Sequence, residues 1–154
     1  MKIVQIKTNK KRFLSLLLLG DEQESMIDRY LDRGDMFVLL NGGNHAIAVA
    51  VVTIEDEKTV ELKNLAVTET EQGKGFGKLM LNFLCCHYGN NYETLVVGTG
   101  DVQSTVGFYE HCGFSFSYRV KDFFLKNYDH PIFEEGLQLK DMVYLKRSIK
   151  TSTV

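Results

Sequence analysis

The chain has 154 residues, of which 44% are hydrophobic and 25% are charged, a composition typical of an ordinary folded domain. No apolar run approaches the ~20 residues that a membrane-spanning helix needs. Eighteen Lys and Arg residues against twenty Asp and Glu give a net charge of −2, so the chain lacks the basic excess of nucleic-acid-binding proteins. We therefore expect one domain over residues 1–154, with neither nucleic acid nor membrane as a partner.

The three cysteines favour a reducing environment. Their number is odd, and two of the three, Cys85 and Cys86, are adjacent, whereas Cys112 is distant in sequence. Such a set is a poor disulfide framework, so it predicts a cytoplasmic protein. His87 and His111 adjoin them, but the spacing matches no zinc-binding motif. Buried helical cysteines are the commoner explanation, so we expect no metal site.

The first part of the chain predicts one strand and two helices. Residues 3–6 have the pattern of a short strand. Helical spacing of apolar residues predicts helices over about 9–19 and 21–33, with Asp21 as the N-cap of the second helix.

Three strands follow, over residues 36–40, 46–54 and 59–67. Asn41-Gly42-Gly43-Asn44 predicts a hairpin turn between the first two, and the second is apolar enough to be a central strand covered on both faces. Alternation in the third predicts one face with Val60, Leu62, Asn64 and Ala66, and the other with Glu61, Lys63, Leu65 and Val67.

The second half of the chain alternates between helices and strands. We predict a helix over 77–88, a strand over 94–97, a helix over 104–112 that Gly113 ends, and strands over 116–120 and 142–145. Four antiparallel-type strands followed by this alternation predict an α/β fold with a mixed sheet flanked by helices.

A glycine-rich loop separates the fourth strand from the next helix and reads Glu71-Gln72-Gly73-Lys74-Gly75-Phe76-Gly77-Lys78. Glycines at a helix N-terminus let backbone N–H groups converge on a phosphate. Lys78 stands where a Walker A loop needs its second glycine and where a dinucleotide fingerprint needs its third, so neither nucleotide motif fits.

The residues from Gln72 to Gly77 match a different pattern, [Q/R]-x-x-G-x-[G/A]. Leu65-Ala66-Val67 precedes them on a strand, and Phe108-Tyr109-Glu110-His111-Cys112-Gly113-Phe114 follows downstream with the pattern F-Y-x-x-x-G-F. With these three elements in order, the chain from 3 to 149 resembles the GNAT family of N-acetyltransferases, in its small bacterial form.

This resemblance implies a sheet whose fourth and fifth strands splay apart, with acetyl-CoA bound as co-substrate. The backbone of Leu65, Ala66 and Val67 would bond the pantetheine arm. The coenzyme pyrophosphate would be held by the amides of Gln72, Gly73, Lys74, Gly75, Phe76, Gly77 and Lys78. Many relatives have an asparagine ahead of the tyrosine helix, and Ser104 or Thr105 would stand in for it here.

Acetyl transfer to an amine needs an acid for the departing thiolate and a route for the amine proton. The resemblance implies that Tyr109 is the acid, although helical spacing also allows a core tyrosine. Glu61 resembles the strand carboxylate that several relatives use as base, but it is equally consistent with a solvated glutamate paired with Lys63. Asp101 and water are the other candidates for the base.

The implied activity is transfer of the acetyl group to a primary amine of a small-molecule or amino-acid-like acceptor, by direct attack in a ternary complex. A catalytically silent coenzyme A sensor and a protein-acetylating enzyme are the alternatives. The segment 122–140 is aromatic and acidic. Either it covers a pocket for a cationic amine with Asp129, Glu134 and Glu135, or it packs against a second subunit in a homodimer, or it caps the core.

Overall fold

The computed structural model describes residues 1–151, which form a seven-stranded mixed sheet with helices on both faces. The strands are β1 (Lys2–Ile6), β2 (Asp35–Leu40), β3 (Ala46–Ile54), β4 (Thr59–Val67), β5 (Thr94–Gly100), β6 (Ser115–Val120), β7 (Phe133–Glu134), β8 (Leu137–Gln138) and β9 (Met142–Ser148). The helices are α1 (Leu14–Gly20), α2 (Glu24–Ile27), α3 (Phe76–Tyr88), α4 (Gln103–His111) and α5 (Phe123–Asn127). Two 3-10 turns lie at Lys10–Phe13 and Glu69–Glu71.

The strand order of the large sheet is β1-β2-β3-β4-β5-β9-β6. Strands β4 and β5 pair in parallel, whereas the other neighbours are antiparallel. A parallel pair needs a crossover, which α3 supplies. The mixed α/β sheet predicted from the sequence is confirmed.

Strands β4 and β5 separate after four residue pairs. Residues 59–62 pair with 94–97, and from Lys63 onwards β4 has no strand partner on this side among the described residues. Strand β5 continues alongside β9 as far as Gly100. Because an unpaired edge leaves backbone N–H and C=O groups free, the separation creates an open edge of β4 from residue 63 to residue 67. This is the splay that the family resemblance implies.

A β-bulge interrupts β4 where the splay begins. Val51 of β3 pairs with Asn64, and Val52 pairs with Leu62, so Lys63 is an extra residue with no partner on β3. An inserted residue shifts the alternation of side chains by one position.

The bulge reverses the faces of β4 half-way along the strand. The residues that pack toward α3 and α4 are Val60, Leu62, Leu65 and Val67. Those on the face toward α1 and α2 are Glu61, Asn64 and Ala66. The alternation predicted for this strand is therefore wrong beyond Leu62, because a strict period of two does not allow for an extra residue.

The two N-terminal helices are shorter than predicted. The first begins as a 3-10 turn and becomes α1 at Leu14, and the second is regular only over α2. After Ile27 the backbone bonds are mixed: Tyr30 N–H bonds Ile27 O over three residues at 3.1 Å, and Leu31 N–H bonds the same oxygen over four residues at 3.0 Å. The residue at the N-cap of α2 is Gln23, so the prediction of Asp21 as the cap is wrong.

Each face of the sheet has its own apolar cluster. Met80, Leu81 and Leu84 of α3 are fully buried against one face, and Leu17 of α1 and Ile27 are fully buried against the other. Each such side chain stabilises the fold by about 1.5–3 kcal/mol relative to full exposure. No helix within residues 1–151 is long and apolar enough to cross a membrane.

The segment 122–140 has a small core of its own. Phe124, Ile132 and Leu139 are buried together with Val102, the residue just before α4. The segment thus packs against the start of α4, and which of its three predicted roles it serves stays a prediction. Its β7–β8 hairpin lies beside the splay, where it contributes to the cavity described below.

Candidate active site

The glycine loop, residues 71–78, joins β4 to α3 through two glycines in the left-handed region. Gly73 has φ +76° and Gly75 has φ +89°, which L side chains rarely adopt. Gly75 is the N-cap of α3 and no side chain caps the helix. No backbone N–H group from Gly73 to Lys78 bonds a backbone carbonyl of residues 1–151. With the positive end of the α3 dipole, these N–H groups form an anion-binding cradle.

Side-chain contacts fix this cradle against the rest of the fold. The Gln72 amide donates to the carbonyl oxygen of Val67 at 2.9 Å, which ties the loop to the end of β4. A Cβ on Gly77 would lie 3.2 Å from the ring of Phe108, so α3 and α4 are in close contact. Lys74 pairs with Glu71 at 3.1 Å on the surface.

A cavity of about 830 Å³ extends from the cradle along the splay to the connection between α1 and α2. This volume lies within the range of small-ligand sites. Lys74 lies outside the lining, but the other residues predicted to bind the cofactor are part of the wall. They are Leu65, Ala66, Val67, Gln72, Gly73, Gly75, Phe76, Gly77, Lys78, Ser104 and Thr105.

Tyr109 lies on the cavity wall with its ring in the core. Only 7% of the residue is exposed, and the ring packs edge-on against Phe108 and Phe114 at 5.1 and 5.5 Å. Burial, with smaller effects of Cys112 and Glu134, raises the pKa of Tyr109 well above its usual value. The hydroxyl therefore stays protonated at neutral pH, in the form that donates a proton or a hydrogen bond.

The hydroxyls of Ser104 and Thr105 bond the β7–β8 hairpin. Ser104 donates to Glu135 at 2.8 Å, and Thr105 donates to Glu134 at 2.7 Å. Glu135 and Gly136 both have positive φ, which is the geometry of a tight two-residue hairpin turn. These contacts hold the hairpin over α4, where it forms one side of the cavity.

The two carboxylates predicted as candidate bases are not part of the cavity lining. Glu61 is 2.7 Å from the Lys63 ammonium, and burial raises the pKa of Glu61 while Lys63 acts in the opposite direction. The bulge residue Lys63 reaches the wall instead. Asp101 is exposed and pairs with Arg119 at 2.9 Å. The structure thus does not bring Glu61 or Asp101 together with Tyr109, and the role of each as base stays a prediction.

Asp21 lies on the cavity wall, although sequence reasoning assigned it to a helix cap. Its carboxylate accepts hydrogen bonds from the hydroxyls of Tyr30 at 3.1 Å and Tyr128 at 2.7 Å. Tyr30 in turn accepts a bond from the Asn64 amide at 3.1 Å. Burial raises the pKa of Asp21, and the two phenols partly oppose that effect. Helical spacing points Tyr30 inward, but Tyr128 is 107 residues away, so no local pattern signals the pair.

The cysteines take no part in this cavity. Cys85 and Cys112 are buried, Cys86 is exposed, and all three are free thiols. Within residues 1–151, no group of three or more His, Cys, Asp or Glu side chains is arranged to hold a metal ion.

Comparison with known proteins agrees with this geometry. The family model described as an acetyltransferase (GNAT) domain matches residues 32–116, which is more than half of the chain. The chain belongs to the GNAT acetyltransferase family. It is an acetyl-CoA-dependent N-acetyltransferase, and the fold class and acetyl donor that the sequence predicts are confirmed.

Three relatives show the extent of the similarity. An uncharacterized N-acetyltransferase of Bacillus subtilis, YvbK, is 38% identical over 141 residues, which are 90% of each chain. A GNAT family acetyltransferase from Elizabethkingia anophelis, solved with acetyl-CoA bound, is 32% identical with a TM-score of 0.90, over 96% of this chain and 97% of that one. A Bacillus subtilis acetyltransferase in complex with CoA is 35% identical with a TM-score of 0.85, over 96% and 97%.

Proposed function

We propose that this GNAT enzyme transfers the acetyl group of acetyl-CoA to a primary amine of a small-molecule or amino-acid-like acceptor, by direct attack in a ternary complex. The observation that carries the proposal is one cavity shared by the anion cradle, the free edge of β4, Tyr109 and the α1–α2 connection. Donor and acceptor held together in one cavity can react directly, because their proximity makes the transfer effectively unimolecular.

The donor end of the cavity suits coenzyme A. The unpaired amides of residues 73–78 and the Lys78 ammonium supply hydrogen-bond donors and positive charge for a pyrophosphate. Gly73 and Gly75 leave open space where a Cβ would stand. The free edge of β4 at Leu65–Val67 offers backbone groups to an extended pantetheine arm, in the way that a sheet edge binds an added strand.

The reaction forms a nitrogen–carbon bond and breaks the carbon–sulfur bond of the thioester. Backbone N–H groups at the free edge of β4 stabilise the oxyanion that develops on the carbonyl oxygen. The sulfur leaves as a thiolate and takes a proton from the Tyr109 hydroxyl, and solvent then returns a proton to Tyr109. In this mechanism Tyr109 is the acid for the leaving group, and the proton of the amine goes to a different acceptor.

Water in the cavity takes the proton of the amine in this proposal. An alkylammonium has a pKa near ~10.4, so only its minor neutral form attacks. Glu61 forms an ion pair with Lys63, and Asp101 forms one with Arg119 on the surface. These ion pairs make direct transfer of the amine proton to either carboxylate unfavourable. The rate should therefore rise with pH as the neutral fraction of the amine grows.

The walls at the acceptor end favour a small acceptor over a protein chain. The α1–α2 connection forms one wall, and α5 with the β7–β8 hairpin forms another. A peptide segment needs an open groove, whereas hydrogen bonds from Tyr128 to Asp21 at 2.7 Å and from the Asp129 N–H to Gln23 at 2.9 Å join these two walls. Phe124 and Tyr128 give the second wall an aromatic surface.

The test is a panel of primary amines, free amino acids and lysine-containing peptides incubated with acetyl-CoA, with release of free thiol as the readout. We expect turnover of small amines with sequential two-substrate kinetics and a rate that increases with pH. Tight acetyl-CoA binding without thiol release for any acceptor would identify a sensor. Turnover of peptides alone would identify a protein-acetylating enzyme, and either result would refute the proposal.

A further inference from the structure

The carboxylate of Asp21 is a partly buried anion without a cationic partner. No Lys, Arg or His nitrogen of the described residues lies within 4.0 Å of it, although the same chain forms such ion pairs at many other acidic residues. Its hydrogen-bond partners are the phenols of Tyr30 and Tyr128, and it lies on the cavity wall in the connection between α1 and α2.

The two phenols maintain Asp21 as a charged, oriented group. Burial raises the pKa of both tyrosines far above its usual value, so both remain hydrogen-bond donors. A donor to a carboxylate favours its ionised form, which opposes the effect of burial. Asn64 holds Tyr30 from the other side and is itself anchored to the Leu17 carbonyl oxygen at 2.9 Å. The orientation of the carboxylate is thus fixed by three elements of the fold.

Such a group is suited to bind a cation. An ammonium in the cavity would form a charge-assisted hydrogen bond with Asp21 and supply the counter-charge that it lacks. A carboxylate beside the reacting amine would also raise the pKa of that amine and hinder its deprotonation. The cation at Asp21 is therefore one that keeps its charge through the reaction.

We propose that Asp21, oriented by Tyr30 and Tyr128, binds a second ammonium group of the acceptor, so that the substrates are amines carrying another positive charge. The inference rests on the proposed small-molecule N-acetyltransferase activity. Among the other carboxylates of the cavity wall, Glu22 contacts His130 at 3.1 Å, and Glu134 and Glu135 accept bonds from the hydroxyls of α4. Asp21 is the carboxylate that Tyr30 and Tyr128 orient in the connection between α1 and α2.

The test compares two probes of equal length, 1,4-diaminobutane and 4-amino-1-butanol, which differ in the second ammonium. A charge-assisted hydrogen bond corresponds to ~10–100-fold in affinity. We expect kcat/KM to favour the diamine by that factor, after correction for its two equivalent amines. The preference should arise from a lower KM for the diamine. Asp21→Asn should abolish the preference while the KM for acetyl-CoA stays near wild type.

Asp32→Asn is the matched control, because Asp32, like Asp21, lies between β1 and β2 but is outside the lining of this cavity. It should retain the preference for the diamine. Tyr128→Phe removes one of the two phenol donors and should weaken the preference partially.

Calorimetric titration of both probes into the enzyme loaded with coenzyme A separates this inference from the proposed activity. If neither probe is acetylated but the diamine binds wild type ~10-fold more tightly and Asp21→Asn removes the difference, the activity is wrong and the cation site stands. Equal affinities of the two probes for wild type, or a preference that survives in Asp21→Asn, would overturn the site even in an active enzyme.

Discussion

The substitution Gly75→Ala tests the anion cradle most directly. Gly75 has φ +89°, and a Cβ built there meets no atom of the protein within 4 Å. The substitution should therefore lower the free energy of unfolding only by the backbone strain of an L residue in the left-handed region, about 1–2 kcal/mol. At ~2–4 °C per kcal/mol for a chain of this size, the melting temperature should fall by ~2–8 °C.

Binding should suffer far more than stability. The added methyl group would point into the open space that a pyrophosphate needs for contact with the amides of residues 73–78. Loss of one charge-assisted hydrogen bond costs about 1.5–3 kcal/mol, so the Kd for acetyl-CoA should rise by at least ~10-fold. Isothermal titration calorimetry measures this Kd, and a thermal melt of the same sample measures the stability.

Gly113→Ala separates the two effects. Gly113 has φ +94°, and a Cβ there would be in ordinary contact with Arg147 at 3.4 Å, so the backbone strain is similar. It lies at the end of α4, away from the cradle. We expect a similar fall in melting temperature with an unchanged Kd. Equal Kd values for both variants and wild type would show that the glycine loop does not bind the coenzyme.

Four further predictions concern single side chains. Tyr109→Phe should lower kcat by ~10²–10⁴-fold with little change in acetyl-CoA affinity, and wild-type turnover in a steady-state assay would exclude Tyr109 as the acid. Glu61→Gln should lower kcat by less than ~10-fold, because its ion pair keeps it off the cavity wall, whereas a loss of ~10²-fold or more would restore it as the base. Gly20→Ala would place a Cβ in steric conflict with Asn64 Oδ1, so we expect overpacking to cost about 1–3 kcal/mol in a denaturant titration, and an unchanged midpoint would contradict this close packing. The stability of wild type relative to Asp21→Asn should rise as the pH falls from 7 toward the model-peptide value of 3.8, since the raised pKa of Asp21 means that its ionised form disfavours the folded state; a difference in melting temperature that does not change over this range would argue against this.

Local sequence patterns predicted the parts of the site that depend on local backbone chemistry. The cradle follows from glycines at a helix N-terminus, and both Gly73 and Gly75 adopt the positive φ that only glycine accepts readily. The end of α4 follows from Gly113 in the same way, with φ +94°. In each case the residue type and its neighbours in the chain are sufficient to specify the conformation.

Features that depend on distant residues could not be predicted in this way. The bulge at Lys63 is defined by pairing with β3, and it reverses the direction of every later side chain in β4. Asp21 has the sequence context of a helix cap, but its partner Tyr128 comes from the other end of the chain. The ion pair of Glu61 with Lys63 was one of the alternatives that the sequence allowed, but the local pattern could not show that Glu61 lies outside the cavity lining.

The pairing between β4 and β5, which is limited to four residue pairs, also affects the order in which the chain folds. Strands β1 to β4 are joined by antiparallel pairing, and residues 2–67 can form these contacts as soon as they are synthesised. The other side of the splay is different, because β5 is bordered by β9, the last strand of the sequence. We therefore expect the coenzyme site to be completed only after residues 142–148 have left the ribosome, so that a nascent chain cannot bind acetyl-CoA before its final strand is in place.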